Sequence, residues 1–147
     1  MTRIQRMEPV QRVMDDGEQQ QAKHLGAAQR RLVDAEAKLA ELQRYHAEYQ
    51  QSFSRQASAG SSGMALRDFQ VFLARLAEAV KQQEHFVTRA TEDLAAQTRD
   101  WQQAAQRAKG LGLVVARWRV EERVVQERRE QQETDERALR MTRVGVL

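Results

Sequence analysis

The stretch Ser58-Ala59-Gly60-Ser61-Ser62-Gly63 decides the fold of this 147-residue chain. It is the one place where the helical pattern stops completely between two long periodic segments. Glycine supplies the unusual dihedral angles of a turn, and serine caps the helix that follows. The stretch therefore predicts a turn over residues 57–63, with one helix before it and one after it.

Before the turn, apolar side chains recur at alternating steps of three and four residues. This spacing is the a/d pattern of a left-handed coiled coil. Pro9, the single proline, suits the first turn of a helix, so we expect helix 1 over about residues 8–56. The seam comprises Leu25, Ala28, Leu32, Ala35, Leu39, Leu42, His46, Tyr49 and Phe53, and it continues backward through the mostly polar Gln21, Glu18, Met14 and Gln11.

A second seam with the same spacing follows the turn, which predicts helix 2 over about residues 64–141. Its members are Leu66, Phe69, Leu73, Leu76, Val80, Gln83, Val87, Ala90, Leu94, Gln97, Trp101, Ala104, Ala108, Leu111, Val115 and Trp118. The pattern then weakens through Glu122, Val125 and Arg129 to Leu139.

Antiparallel pairing across the turn places Leu25 opposite Leu94 and Pro9 opposite Gly110. Helix 1 then runs out, and residues 113–140 have no partner within the chain. We therefore predict an all-α fold: a single coiled-coil domain that is a long two-stranded antiparallel helical hairpin with a C-terminal helix overhang.

The composition agrees with a coiled coil, because 31% of the residues are charged and only 5% are aromatic. The 24 basic and 21 acidic residues give a net charge of +3 and are interleaved, which argues against nucleic-acid binding. The absence of cysteine excludes disulfides. With no long apolar run and no secretory signal pattern, we expect a cytoplasmic protein.

No residue pattern in the chain is typical of catalysis. His24, His46 and His85 do not have metal-ligand spacing, and Gly110-Leu111-Gly112 lacks the preceding strand of a phosphate-binding loop. The serines near the turn have no histidine or acid fixed beside them. We therefore expect no catalytic, metal or cofactor-binding residues, and a protein that is not an enzyme.

The apolar stripe is wider near the turn than two helices need. Phe72, Ala79 and Phe86 occupy g positions beside the seam of helix 2, and Tyr45 does so on helix 1. Such residues either thicken the intramolecular core or form a contact surface for a partner. We favour the core for Phe86 and the contact surface for Tyr45 and Phe72, because two helices alone cannot cover three seam positions.

The expected overhang carries an apolar line, formed by Leu111, Val114, Val115, Trp118 and Val125. A lone amphipathic helix is marginally stable in water. This segment is therefore expected to pack on a second copy of the chain or in a pore or groove of another protein. The opposite charges that follow it at i,i+3 and i,i+4 spacing suit a solvated helix.

Three motifs resemble the FliJ family, the small coiled-coil component of the flagellar type III export apparatus. They are Tyr45-x-x-x-Tyr49 before the turn, Phe69-Gln70-x-Phe72-Leu73-x-x-Leu76 after it, and Arg129-Glu130-Gln131-Gln132-x-x-Asp135-Glu136 near the end. The match in layout covers nearly the whole chain. The resemblance implies a stalk-like protein whose two chain ends enter the pore of a hexameric export ATPase and stimulate it.

The resemblance also implies contact with an export-gate membrane protein, and some family members bind export chaperones. The gate strip implied for this chain comprises Lys38, Leu42, Tyr45, Tyr49, Phe72, Leu76, Ala79 and Gln83. The overhang would enter the ATPase ring, with Leu111, Val115, Trp118 and Val125 as the ring-contact set. The implied location is cytoplasmic, peripheral to the inner membrane at the flagellar base, with membrane association only through partners.

Two other functions stay open. One is a generic structural coiled coil that dimerises through the overhang, which sedimentation would separate from a monomeric stalk. The other is an arginine-rich nucleic-acid binder, which requires affinity that falls steeply with added salt.

Overall fold

The computed structural model describes residues 1–145 and consists of two helices. Helix α1 spans Arg3–Ser58 (56 residues) and helix α2 spans Gly63–Gly145 (83 residues). The two helices pack against each other, which confirms the predicted all-α helical hairpin. Over residues 1–145, neither helix contains a segment long and apolar enough to cross a membrane.

The turn between the helices is closed by backbone hydrogen bonds at the end of α1 and by a serine side-chain cap at the start of α2. The Ser61 N–H donates to the Gln56 carbonyl (3.2 Å) and the Gly60 N–H donates to the Ala57 carbonyl (3.4 Å). This is a Schellman motif, whose left-handed position is taken by Gly60 at a φ of 83°. The Ser62 hydroxyl then accepts from the Ala65 N–H (3.2 Å) and caps α2.

Helix α1 begins at Arg3 rather than near Glu8, so Pro9 lies inside the helix. A capping box forms its first turn. The Gln5 N–H donates to the Thr2 hydroxyl (3.2 Å), and the Thr2 N–H donates to the Gln5 side-chain carbonyl (3.0 Å). These two bonds satisfy backbone donors that a bare helix start would leave unpaired, which allows α1 to begin before the proline.

The predicted seams are the stripes along which the helices are covered. From Gln11 to Phe53 on α1, each seam residue except Tyr49 is buried or half-buried, as is every seam residue of α2 from Leu66 to Trp118. Among the apolar side chains of residues 1–145, only Ile4, Ala28 and Val115 are buried outright. Two helices can shield just one stripe of each other, which explains why most of the seam stays half-buried.

The chain divides into two compact units. The first unit comprises Met1–Gln19 and the described residues from Gln103 onward; the second is Gln20–Gln102 and contains the turn. Two contacts fix the helices within the second unit. The Arg31 guanidinium pairs with the Asp93 carboxylate at 2.9 Å, and the Gln83 side-chain amide donates to the Ala35 carbonyl at 3.0 Å.

In the first unit, α2 is covered further along than the sequence predicts. The expectation was that residues 113–140 lack a partner, but Val115 is only 1% exposed and Arg3 forms an ion pair with Glu121. The cause is the early start of α1, which brings its first turn over this part of α2. From Glu121, which Arg3 still contacts, every described residue up to Gly145 is exposed, and we call residues 121–145 the uncovered segment.

Candidate functional site

The gate strip lies in the second unit, on the half of each helix nearest the turn. Its α1 residues follow one another at steps of four, three and four, so they form one stripe along the helix. Leu42, Leu76, Ala79 and Gln83 are half-buried, and Lys38 is exposed. Tyr45, Tyr49 and Phe72 remain about 41%, 40% and 42% exposed, respectively. The strip thus has a covered base and an aromatic margin open to solvent.

An aromatic cluster orders the margin near the turn. The Tyr49 ring meets the Phe72 ring edge-on, with their centroids 4.8 Å apart. Phe69 lies 6.2 Å from Tyr49 and 6.0 Å from Phe53, measured between centroids. Tilted and edge-on contacts at these distances are favourable for aromatic rings. The contacts hold Tyr49 and Phe72 in place while leaving part of each ring exposed.

Phe86 does not fulfil the expectation that it thickens the core. Its side chain is 50% exposed, and the guanidinium carbon of Arg89 lies 4.7 Å from the centre of its ring. Both residues line an open groove together with Ala35 and Gln83. Phe86 is therefore a surface residue beside the gate strip.

A contact that we call the clasp closes the first unit. Its members are Arg3, Trp118 and Glu121. The guanidinium of Arg3 lies 4.6 Å from the centre of a Trp118 ring and also pairs with the Glu121 carboxylate. Beside it, Ile4 is 8% exposed and Val115 is 1% exposed. The clasp fixes the first turn of α1 over an apolar part of α2.

The clasp changes how the ring-contact set is presented. Leu111 and Trp118 are half-buried, and Val115 is buried in the hairpin. Val125 is 48% exposed and lies within the uncovered segment. The structure therefore brings Leu111, Val115 and Trp118 onto the seam with α1. Val125 lies on the exposed surface beyond them, where it lines an open groove with Arg3 and Glu121.

Among the described residues, no group of three or more His, Asp or Glu side chains is placed to hold a metal ion. The arrangement consists of two surfaces on packed helices, and such surfaces suit contacts with other proteins.

The chain matches the family model described as Flagellar FliJ protein over residues 3–145. The chain belongs to the FliJ family. The match covers both helices and the turn between them. A search of curated proteins and a search of solved structures gave no match to this chain.

Membership in the FliJ family makes this chain a component related to flagellar export. Proteins of this family are non-catalytic components of that apparatus. The helical hairpin is the architecture that the turn and the two seams predicted.

Two residues of this FliJ-family chain, Arg3 and Glu121, were absent from the sequence predictions. The sequence nevertheless contains two patterns that indicate an earlier start of α1, which brings Arg3 to α2. The spacing of the α1 seam continues backward from Gln11 through Met7 to Ile4, and Thr2-x-x-Gln5 is a capping-box pattern. Placing Pro9 in the first turn made the predicted helix begin too late, at about residue 8 instead of Arg3.

Proposed function

We propose that this chain is a non-enzymatic stalk of the flagellar type III export apparatus. It binds and stimulates a hexameric export ATPase with the first unit, and it contacts an export-gate membrane protein through the gate strip. Export chaperones are further partners. The observation that carries the proposal is the family match over residues 3–145.

For the ATPase contact, the proposal draws on the exposed segment of α2 from Glu121 to Gly145. Val125, which is 48% exposed, contacts the ATPase ring directly, together with the exposed part of the Trp118 side chain. Leu111 and the buried Val115 support this surface by holding the first turn of α1 against α2. The set of four thus contains two contact residues and two supporting residues.

For the gate contact, the proposal draws on the exposed aromatic margin of the strip. Tyr and Phe side chains supply a large contact area at low entropic cost, and they are common at protein interfaces. The phenol groups of Tyr45 and Tyr49 suit a surface that is wet when free and buried when bound. The chain works in the cytoplasm at the flagellar base and reaches the inner membrane only through its partners.

The test is the hydrolysis rate of the cognate export ATPase with and without the purified chain. We expect the rate to rise with added full-length protein and to saturate as the ring sites fill. An ATPase whose rate is the same at every concentration of the chain would contradict the proposal.

A further inference from the structure

The two edges of the hairpin in the second unit differ in chemistry. In an antiparallel coiled coil, the g positions of both helices meet along one edge and the e positions meet along the other. The g edge carries Tyr45, Phe72, Ala79 and Phe86, and the e edge carries Glu36, Gln43, Gln50, Gln70, Ala77 and Glu84. Only the g edge combines a helical repeat with large exposed apolar side chains.

The ion pair between Arg31 and Asp93 marks the end of this apolar edge. One heptad nearer the turn, the register places Lys38 opposite Phe86. Phe86 is 50% exposed and thus more exposed than Phe72 or either tyrosine of the strip. On α2 the apolar edge therefore extends one turn beyond Gln83, the last residue of the gate strip on that helix. It reaches Phe86 and the Arg89 side chain stacked on it.

The flanks of the edge carry opposite charges. On α1 the neighbouring c positions are acidic, at Asp34, Glu41 and Glu48. On α2 the c positions are Asp68 nearest the turn and then Arg75, Gln82 and Arg89, so this flank is basic from Arg75 onward. The acidic flank and both arginines are exposed. A partner seated on the apolar edge would meet negative charge on one side and positive charge on the other.

We propose that the g edge, including Phe86 and Arg89, is the seat of an amphipathic helix from a partner protein. Apolar residues at heptad spacing, Phe72, Ala79 and Phe86, match the repeat of a third helix that packs against two. The bound helix carries carboxylates on the side that faces α2 and cations on the side that faces α1. This inference rests on the proposed gate contact, and it adds the helical class and charge pattern of the partner segment.

The test measures binding of the cytoplasmic part of the export-gate protein to the unsubstituted full-length chain and to five variants, one of which is Phe72→Ala in the gate strip. We expect Phe86→Ala to weaken binding about tenfold, because exposed aromatic anchors dominate such interfaces. Its control is Glu84→Ala on the e edge, which leaves affinity unchanged. We expect Arg89→Glu to weaken binding about threefold and to reduce its dependence on salt, because flanking charges act through electrostatic complementarity. Its control is Arg99→Glu, the same charge change away from the flank.

A second readout tests the class of the partner. The gate segment protected by the chain, located by hydrogen exchange, should show helical chemical shifts when bound. An extended bound segment would overturn the inference. The inference would also be overturned if Phe86→Ala and Arg89→Glu bind the gate fragment with full affinity while Phe72→Ala binds it weakly. That result would leave the proposed gate contact intact. A gate fragment that does not bind even the unsubstituted chain contradicts the proposed gate contact itself. A dimer of the chain that Phe86→Ala dissolves would assign the edge to a second copy instead.

Discussion

Gly60 is the residue on which the turn depends. It is the one residue with a positive φ in the described chain, at 83°. At this angle a β-carbon crowds the following carbonyl oxygen, so other residues adopt the left-handed conformation at a cost. The glycine occupies the position at which a Schellman motif reverses the chain.

We expect Gly60→Ala to lower the free energy of unfolding by about 1–2 kcal/mol, the cost of a left-handed alanine. Gly63→Ala is the matched control, since Gly63 lies in the first turn of α2 and nothing stands within 4 Å of an added β-carbon. Urea unfolding followed by circular dichroism measures both. Equal effects of the two substitutions would show that the turn does not require glycine.

The clasp is the second device at the scale of single residues. The side chains of Arg3 and Glu121 are 43% and 52% exposed. Water and salt screen such a pair, so the ion pair and the stacking of Arg3 on Trp118 together stabilise the folded chain by about 1 kcal/mol. The contribution is local, because it holds one turn of α1.

We expect Arg3→Ala to speed hydrogen exchange of the backbone amides in the first two turns of α1 about fivefold, the effect of losing about 1 kcal/mol. Glu121→Gln should give a smaller increase, because Arg3 can still stack on Trp118. Arg6→Ala removes a nearby exposed arginine and serves as the control. If these amides exchange at the same rate in the Arg3→Ala and Arg6→Ala variants, the clasp does not stabilise this turn.

At the scale of helices, the seams were predictable because burial follows heptad spacing along both of them. From Leu66 to Trp118 the predicted seam of α2 is the covered stripe. The start of α1 was predicted wrongly, because Pro9 outweighed the seam residues Ile4 and Met7 that precede it. The length of the overhang was wrong for the same reason. The exposure of Phe86 was not predictable, since spacing places it at a g position but does not show whether its ring covers the seam or faces solvent.

The first turns of α1 provide a prediction at this scale. Removing residues 1–7 should expose Val115 and move Trp118 into water, because Ile4 and Arg3 cover that part of α2. In a Trp101→Phe background, the emission of the remaining tryptophan should shift to longer wavelength. Removing residues 135–147 instead should leave the emission unchanged. An unshifted spectrum after the first deletion would contradict the cover that α1 provides.

At the scale of the whole molecule, the two proposed functions belong to two separate parts of one chain. The gate strip lies between residues 38 and 83, and the uncovered segment of α2 begins at Glu121. Neither surface contains a residue of the other. The two seams alone do not indicate this division, because every heptad of a coiled coil has a similar composition. The resemblance to the FliJ family implied both sets of residues, and their separation stays a prediction.

The measurement that tests this claim most directly compares two variants in two assays, ATPase stimulation and binding to the gate protein. One variant ends at Glu121, and the other carries Phe72→Ala with Leu76→Ala. Leu73→Ala, a seam substitution outside the strip, controls for loss of packing. Circular dichroism checks that all three variants remain helical.

We predict that the chain ending at Glu121 loses ATPase stimulation and keeps gate affinity, because it retains the complete strip. The Phe72→Ala, Leu76→Ala variant should lose at least tenfold in gate affinity, since it removes an aromatic anchor and its neighbour. It should keep full stimulation of the ATPase. If either variant loses both activities while remaining helical, the two surfaces are not separate and the account is wrong.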